Sequence, residues 1–250
     1  FNIQNNTITH FRDSDVSAGV YTADICMNSG IRNTTVMNNV VNNCAVGIQF
    51  ERTAYSYYHA RSEWGADGAI IEGNTFHDTE YLDVWFYLNS YADNVTVRNN
   101  EFTGSSAPGY NVYTQDRTTI GLVVDDNTFS NGQEPIYMRG GLDWEITDNT
   151  IYGDGDASHI GIATRNGYGI IDGNTLIDAD GGILVDQITA NQVVNITNND
   201  ISQSAGRSAP SAVGIWAEDC ASSIINTGGN TISVMAVSYT HLTLPTNHPV

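Results

Sequence analysis

A six-residue pattern recurs along the chain and limits the folds open to it: an aliphatic residue, two polar residues, an asparagine, one further residue, and an aliphatic or aromatic residue. Its clearest copy is Ile146-Thr147-Asp148-Asn149-Thr150-Ile151, and it returns at residues 3–8, 36–41, 71–76, 97–102, 124–129, 171–176 and 196–201, with a degenerate copy at 227–232. The central asparagines are Asn6, Asn39, Asn74, Asn100, Asn127, Asn149, Asn174, Asn199 and Asn230, at steps of 33, 35, 26, 27, 22, 25, 25 and 31 residues. The shortest step sets the unit and the longer ones carry insertions, which is how a solenoid reads in sequence. Helical repeats are excluded because each copy is short and rich in Val, Ile, Thr, Gly and Asn, residues that favour strands and turns.

Each repeat carries a second strand signal, typically Gly before alternating apolar residues. The eight are Gly19-Val20-Tyr21-Thr22, Gly47-Ile48-Gln49-Phe50, Asp83-Val84-Trp85-Phe86, Asn111-Val112-Tyr113-Thr114, Pro135-Ile136-Tyr137-Met138, Gly161-Ile162-Ala163-Thr164, Gly182-Ile183-Leu184-Val185 and Gly214-Ile215-Trp216-Ala217. With the two aliphatic ends of the hexapeptide on separate short strands, a repeat supplies three strands and three bends. That is one triangular coil, so the chain is expected to be all-β, a single-stranded parallel β-helix solenoid of about nine coils.

The repeated asparagine and the three-strand coil resemble the right-handed parallel β-helix superfamily, the pectin-lyase-like proteins, over residues 1–236. The resemblance implies that the asparagines stack at a tight bend, in the left-handed conformation that Asn tolerates, and bond amide to amide from coil to coil. They are scaffold. It also implies a secreted or cell-surface protein whose partner is a polysaccharide, acting as a polysaccharide lyase or glycoside hydrolase, or else as a non-catalytic glycan-binding or adhesin module.

Length and 40% hydrophobic content suit one continuous core over 1–236. The chain opens at Phe1 in the middle of a repeat and is expected to be a piece of a longer protein, truncated at both ends. Residues 237–250 break the period and resemble a translated sequencing adapter, so that tail is expected to be non-native. Net charge is −19, from 28 acids against nine bases, all of them Arg. Nucleic acid and anionic membrane are therefore poor partners, and no apolar run is long enough for a membrane span. Cys26, Cys44 and Cys220 are odd in number and lack metal spacing, which points to small buried hydrophobes.

Strand alternation turns the second strand into a map of a surface. If Val20, Ile48, Val84, Val112, Ile136, Ile162, Ile183 and Ile215 point inward, the next residues point outward: Tyr21, Gln49, Trp85, Tyr113, Tyr137, Ala163, Leu184 and Trp216. Two residues on, the column reads Ala23, Glu51, Tyr87, Gln115, Arg139, Arg165, Asp186 and Glu218. Aromatic rings beside polar groups along an elongated face suit a sugar chain, although cross-strand aromatic packing explains such rings as well. The candidate substrate-binding residues are Tyr21, Glu51, Trp85, Tyr87, Tyr113, Gln115, Trp216 and Glu218.

Arg139 and Arg165 fall on adjacent coils, so two like charges stand close unless neutralised. Asp186 is a partner for one and a uronate carboxylate for the other. In the lyases that the chain resembles, β-elimination needs the carboxylate neutralised and the C5 proton removed. Tyr137, Arg139, Arg165 and Asp186 are accordingly the candidate catalytic residues. No cofactor is required by this reading. Calcium is a candidate because Asp154, Asp156 and Ser158 form an oxygen-rich loop, which reads equally as a polar turn.

Overall fold

The computed structural model describes residues 2–9, 23–28, 32–51, 67–79, 81–86, 92–103, 109–115, 119–130, 132–153, 160–179, 181–204, 214–220 and 223–233, with only the backbone described for Ala23–Asn28 and for Glu51. These residues form three sheets of nine, nine and eight strands, and every strand pair is parallel. The first sheet runs from Asn2–Gln4 to Ile224–Gly228, the second from Thr7–Thr9 to Thr231–Ser233, and the third from Ala23–Asn28 to Ile215–Glu218. Each strand pairs with its counterpart one repeat away. Val97 lies between Ile71 and Val124, Phe102 between Phe76 and Phe129, and Val112 between Val84 and Ile136. The chain is a parallel β-helix, with one strand of each sheet per full turn.

The hexapeptide supplies two of the three strands. In the copy at 97–102, Val97 belongs to Thr96–Arg98 in the first sheet and Phe102 to Glu101–Thr103 in the second, with Asn100 at the bend between them. Its two apolar ends face a common interior: Val36, Val41, Ile71, Phe76, Val97, Phe102, Val124, Phe129, Ile146 and Ile151 are fully buried in one core. Identical positions stack at the strand spacing, so Phe76, Phe102 and Phe129 form a column with centroid separations of 4.9 and 4.8 Å.

The nine asparagines form an unbroken ladder. Each of the eight from Asn39 onward accepts, through Oδ1, the backbone N–H and the side-chain amide of the asparagine one coil earlier, from Asn6 on Asn39 to Asn199 on Asn230. The amide also donates to a carbonyl of the preceding coil, as Asn149 does to Val124. The left-handed conformation, however, belongs to the residue before each ladder asparagine. Asn5, Asn38, Gly73, Asn99, Asp126, Asp148, Gly173, Asn198 and Gly229 all have φ between 51° and 69°. The bend divides its work: a residue tolerant of positive φ turns the chain, and the next turns its amide inward to bond.

The first strand of the third sheet also differs from expectation. Gly19-Val20-Tyr21-Thr22 lies outside the described residues, and Ala23–Asn28 holds the register instead, with Ile25 opposite Ile48 and Cys26 opposite Gln49. The strand is six residues long where four were expected. In that register Cys26, not Tyr21, is the residue paired with Gln49, and Ala23 pairs with Val46 rather than with a residue of the second column. Of the cysteines with described side chains, Cys44 is buried as expected but Cys220 only partly so. The last described coil leaves apolar surface open: Trp216, Ile224 and Ile232 are 45, 54 and 46% exposed.

Candidate binding face on the third sheet

A bulge decides which side chains reach this face. The N–H groups of Asn111 and Val112 both donate to the Pro135 carbonyl, at 3.2 and 2.8 Å, so two successive residues oppose one. Both are fully buried, and Tyr110 and Tyr113, on either side, come out to the same face. The same bend shapes Leu82–Phe86, where Asp83 and Val84 are inside while Leu82 and Trp85 join an outer cluster with Val46, Tyr81, Tyr110 and Tyr113. Gly47 completes the row, since a Cβ there would sit 2.9 Å from the Phe76 ring in the core. Strict alternation counts Tyr110 as inward, and for that reason the sequence reading missed it.

Three tyrosines form the centre of the face. Tyr110 stacks on Tyr113 with centroids 4.7 Å apart, Tyr113 lies 5.4 Å from Tyr137, and Tyr110 tilts against Tyr137 at 5.3 Å. Tyr113 and Tyr137 are in direct register. All three are half-buried, leaving part of each ring to solvent. Trp85, paired with Tyr113, is only 5% exposed. It is a floor under the tyrosines and not the exposed stacking ring expected from alternation, because the outer cluster closes around it.

Beside the tyrosines runs a charged rung, Arg139–Arg165–Asp186–Glu218, in direct register across four strands. Arg165 donates through Nε to Asp186 Oδ2 at 2.6 Å, and Asp186 is buried. The expected partnership of Asp186 with one arginine is realised, and it commits that carboxylate to Arg165. Arg139 is exposed and has no ion-pair partner among the described residues. Gln115 sits half-buried beyond Thr114, its amide oxygen buried and without a hydrogen bond among the described residues. Glu134, which sequence reasoning passed over because it precedes the strand, acts electrostatically on Tyr110, Tyr137 and Arg165.

Burial, more than the neighbouring charges, sets the protonation of the phenols. Burial, with Glu134 and the neighbouring tyrosines adding to it, pushes Tyr110 up to about 12. Tyr137 is raised for the same main reason, with Arg165 opposing. Burial alone would lower Arg165, but Tyr137, Asp186 and Glu134 outweigh it and hold the guanidinium above its ordinary value. Both phenols therefore stay protonated at neutral pH, as rings and hydrogen-bond donors rather than bases. That disfavours Tyr137 as the group that abstracts a proton.

The remaining candidates scatter. Trp216 is exposed three strands from Tyr137, roughly 14 Å away at the usual strand spacing, with Ala163 and Leu184 between. Glu218 is exposed at the end of the charged rung. Tyr21 and Tyr87 lie outside the described residues, as do Asp154, Asp156 and Ser158, and the Glu51 side chain is not described. Among the described residues no group of three or more His, Cys, Asp or Glu could hold a metal ion. No helix of the described chain is long and apolar enough to cross a membrane.

Two clefts lie away from this face. One of about 410 Å³ is lined by Asn74, Asn99, Asn100, Glu101, Asp126 and Thr128, at the bend whose ladder amides bond from coil to coil. The other, of about 300 Å³, lies against Trp144, Tyr168, Ile170 and Val193 on the first sheet. Neither has the stacked tyrosine rings beside an arginine that mark the third sheet.

The family model described as "Right handed beta helix region" matches residues 86–241, well over half of the chain. No significant match is found among curated proteins or among solved structures.

Proposed function

This chain belongs to the right-handed β-helix family, and from that premise we propose that it binds an acidic, uronate-containing polysaccharide along the outer face of its third sheet. One observation carries the reading: three tyrosines in mutual ring contact, each half-exposed, stand beside Arg139, a guanidinium without an ion-pair partner among the described residues. Sugar rings offer flat CH faces to tyrosine, and a uronate offers a carboxylate that a guanidinium can take bidentately. An open strip along successive strands suits a polymer better than a closed pocket. A ligand of this kind is a surface or matrix polymer, which places the protein outside the cell.

Cleavage by β-elimination is the second reading, favoured by the nearness of a carboxylate-neutralising arginine to a phenol. The raised value of Tyr137 weighs against it, since the phenol must first lose its proton. The same face then serves as a grip without a base.

Arg139→Ala is expected to weaken binding to polygalacturonate, alginate or chondroitin sulfate by roughly 10- to 100-fold, the loss of a charge-assisted hydrogen-bond pair. Tyr113→Ala with Tyr137→Ala is expected to do the same to a neutral oligosaccharide of the same linkage, on which Arg139→Ala has little effect. Titration calorimetry reads the affinities, and absorbance of the unsaturated product reads elimination. Wild-type affinity in both variants would remove the face from consideration, and product formation by the wild type would replace the grip with a lyase.

A further inference from the structure

Behind the tyrosines lies a carboxyl that the binding face does not use. Asp83 is 2% exposed. Thr79 donates its hydroxyl to one carboxylate oxygen, and the Asn111 amide donates to the other at 2.5 Å. Those are its only polar partners among the described residues. From the strand on one side comes Gly47, with no side chain, and from the other Asn111, whose own oxygen is buried without a partner among the described residues. From the second sheet comes the Phe76 ring, while His77 beside it is exposed and paired with Asp78 at 3.3 Å. The ionisable groups of the neighbouring third-sheet strand, Tyr110 and Tyr113, lie on the opposite face of the sheet. No described cation faces Asp83.

We propose that Asp83 is a proton-held latch for the tyrosine face: protonated, its carboxyl stays inside the coil and keeps Tyr110 turned outward; ionised, it leaves the core and the face loses Tyr110. A neutral carboxyl fits this pocket once the Thr79 hydroxyl rotates to accept its O–H, whereas a carboxylate held by two neutral donors, with no cation among the described residues, is costly to bury. The bulge offers the charge a way out. With Val84 inward, an unbulged strand would point residue 83 to solvent and residue 82 into the core. Asp83 is bonded to Asn111, so releasing one bulge releases the other, and Tyr110 follows Leu82 inward. Burial holds the Asp83 proton up to about 7, within reach of ordinary changes in surroundings.

This inference rests on the glycan reading for its consequence, but not for its test. Affinity for polygalacturonate, whose carboxylates are ionised throughout, is measured from pH 5.5 to 8.5 on the wild-type chain and on Asp83→Asn. The wild type is expected to hold its affinity below pH 6.5 and to lose up to about tenfold per pH unit above 7, one proton being linked. Asp83→Asn, a neutral isostere, is expected to keep the low-pH affinity throughout. Near-ultraviolet circular dichroism of the free protein reads the tyrosine environment without ligand, and a transition near pH 7 is expected in the wild type alone. The same dichroism profile in both proteins overturns the latch. If no polymer binds at any pH while the transition appears, the glycan reading fails and the latch stands. If Asp83→Asn does not fold, ¹³C carboxyl resonances of the wild type decide: titration of Asp83 in the ordinary aspartate range overturns the proposal, and titration near 7 supports it.

Discussion

Asn149→Ala is expected to lower the unfolding free energy by about 4 kcal/mol, far more than the loss of one polar side chain at a surface. Asn149 is fully buried. Its Oδ1 accepts from the Asn127 backbone and amide, both at 3.0 Å, and its amide donates to Val124 at 2.8 Å and to Asn174 at 2.9 Å. Truncation leaves the Asn127 donors and the Val124 carbonyl unsatisfied in the interior, at roughly 1–3 kcal/mol each. Asn149→Asp would not rescue it, because the carboxylate keeps the acceptor while losing the donors and burying a charge. Asn6 supplies the internal comparison: it is exposed and donates to Asn39 without accepting from an earlier coil. Asn6→Ala is expected to cost only about 1 kcal/mol. Urea unfolding of the two variants measures the contrast, and equal effects would show that the ladder contributes little beyond ordinary surface bonding.

The second large effect is a dependence of stability on pH that belongs to one residue. Asp83 has its folded-state value raised from 3.8 to about 7 by burial, with Thr79 and Asn111 only partly opposing. The folded state thus holds the proton more tightly than the unfolded chain. The stabilisation is fully present below about pH 4 and is lost as pH rises toward 7, a total on the order of 4 kcal/mol. The other carboxylates complicate the absolute curve, so the difference between wild type and Asp83→Asn is the quantity to follow. Relative to the variant, the wild type is expected to lose stability steadily between pH 4 and 7 and to level off above. A difference that stays flat over that window, by thermal unfolding at matched ionic strength, would mean that Asp83 titrates alike in both states.

The fold was legible because its determinant is periodic. Nine asparagines in one phase located both bends and strands, and the apolar ends of each copy predicted the buried residues from Val36 to Ile201. What escaped was aperiodic. Positive φ falls one residue before the asparagine, a distinction that sequence blurs because Asn, Asp and Gly occupy that place too. Tyr110 was hidden by the bulge at Asn111 and Val112, which depends on two N–H groups sharing the Pro135 carbonyl, a cross-coil fact with no local signature. Trp85 was assigned to an exposed face by correct alternation, yet alternation says which way a ring points and nothing about what packs around it. Asp83 was read as one more residue before an aliphatic. Its position in the column that holds glycine at Gly47, Gly161, Gly182 and Gly214 was the available clue, since recurring glycine marks a place where the interior leaves no room for a side chain.

The asparagine ladder also separates the length of a turn from its geometry. The step from Asn39 to Asn74 spans 35 residues and that from Asn127 to Asn149 spans 22, yet the backbone-to-amide bonds that close them measure 2.9 and 3.0 Å. Closing the longer loop costs only about 0.4 kcal/mol more in chain entropy, little beside the hydrogen bonds that close it. A lineage of such chains is therefore free to lengthen, shorten or exchange what projects between rungs while the rungs hold their places, so new recognition surfaces can arise by insertion without refashioning the frame.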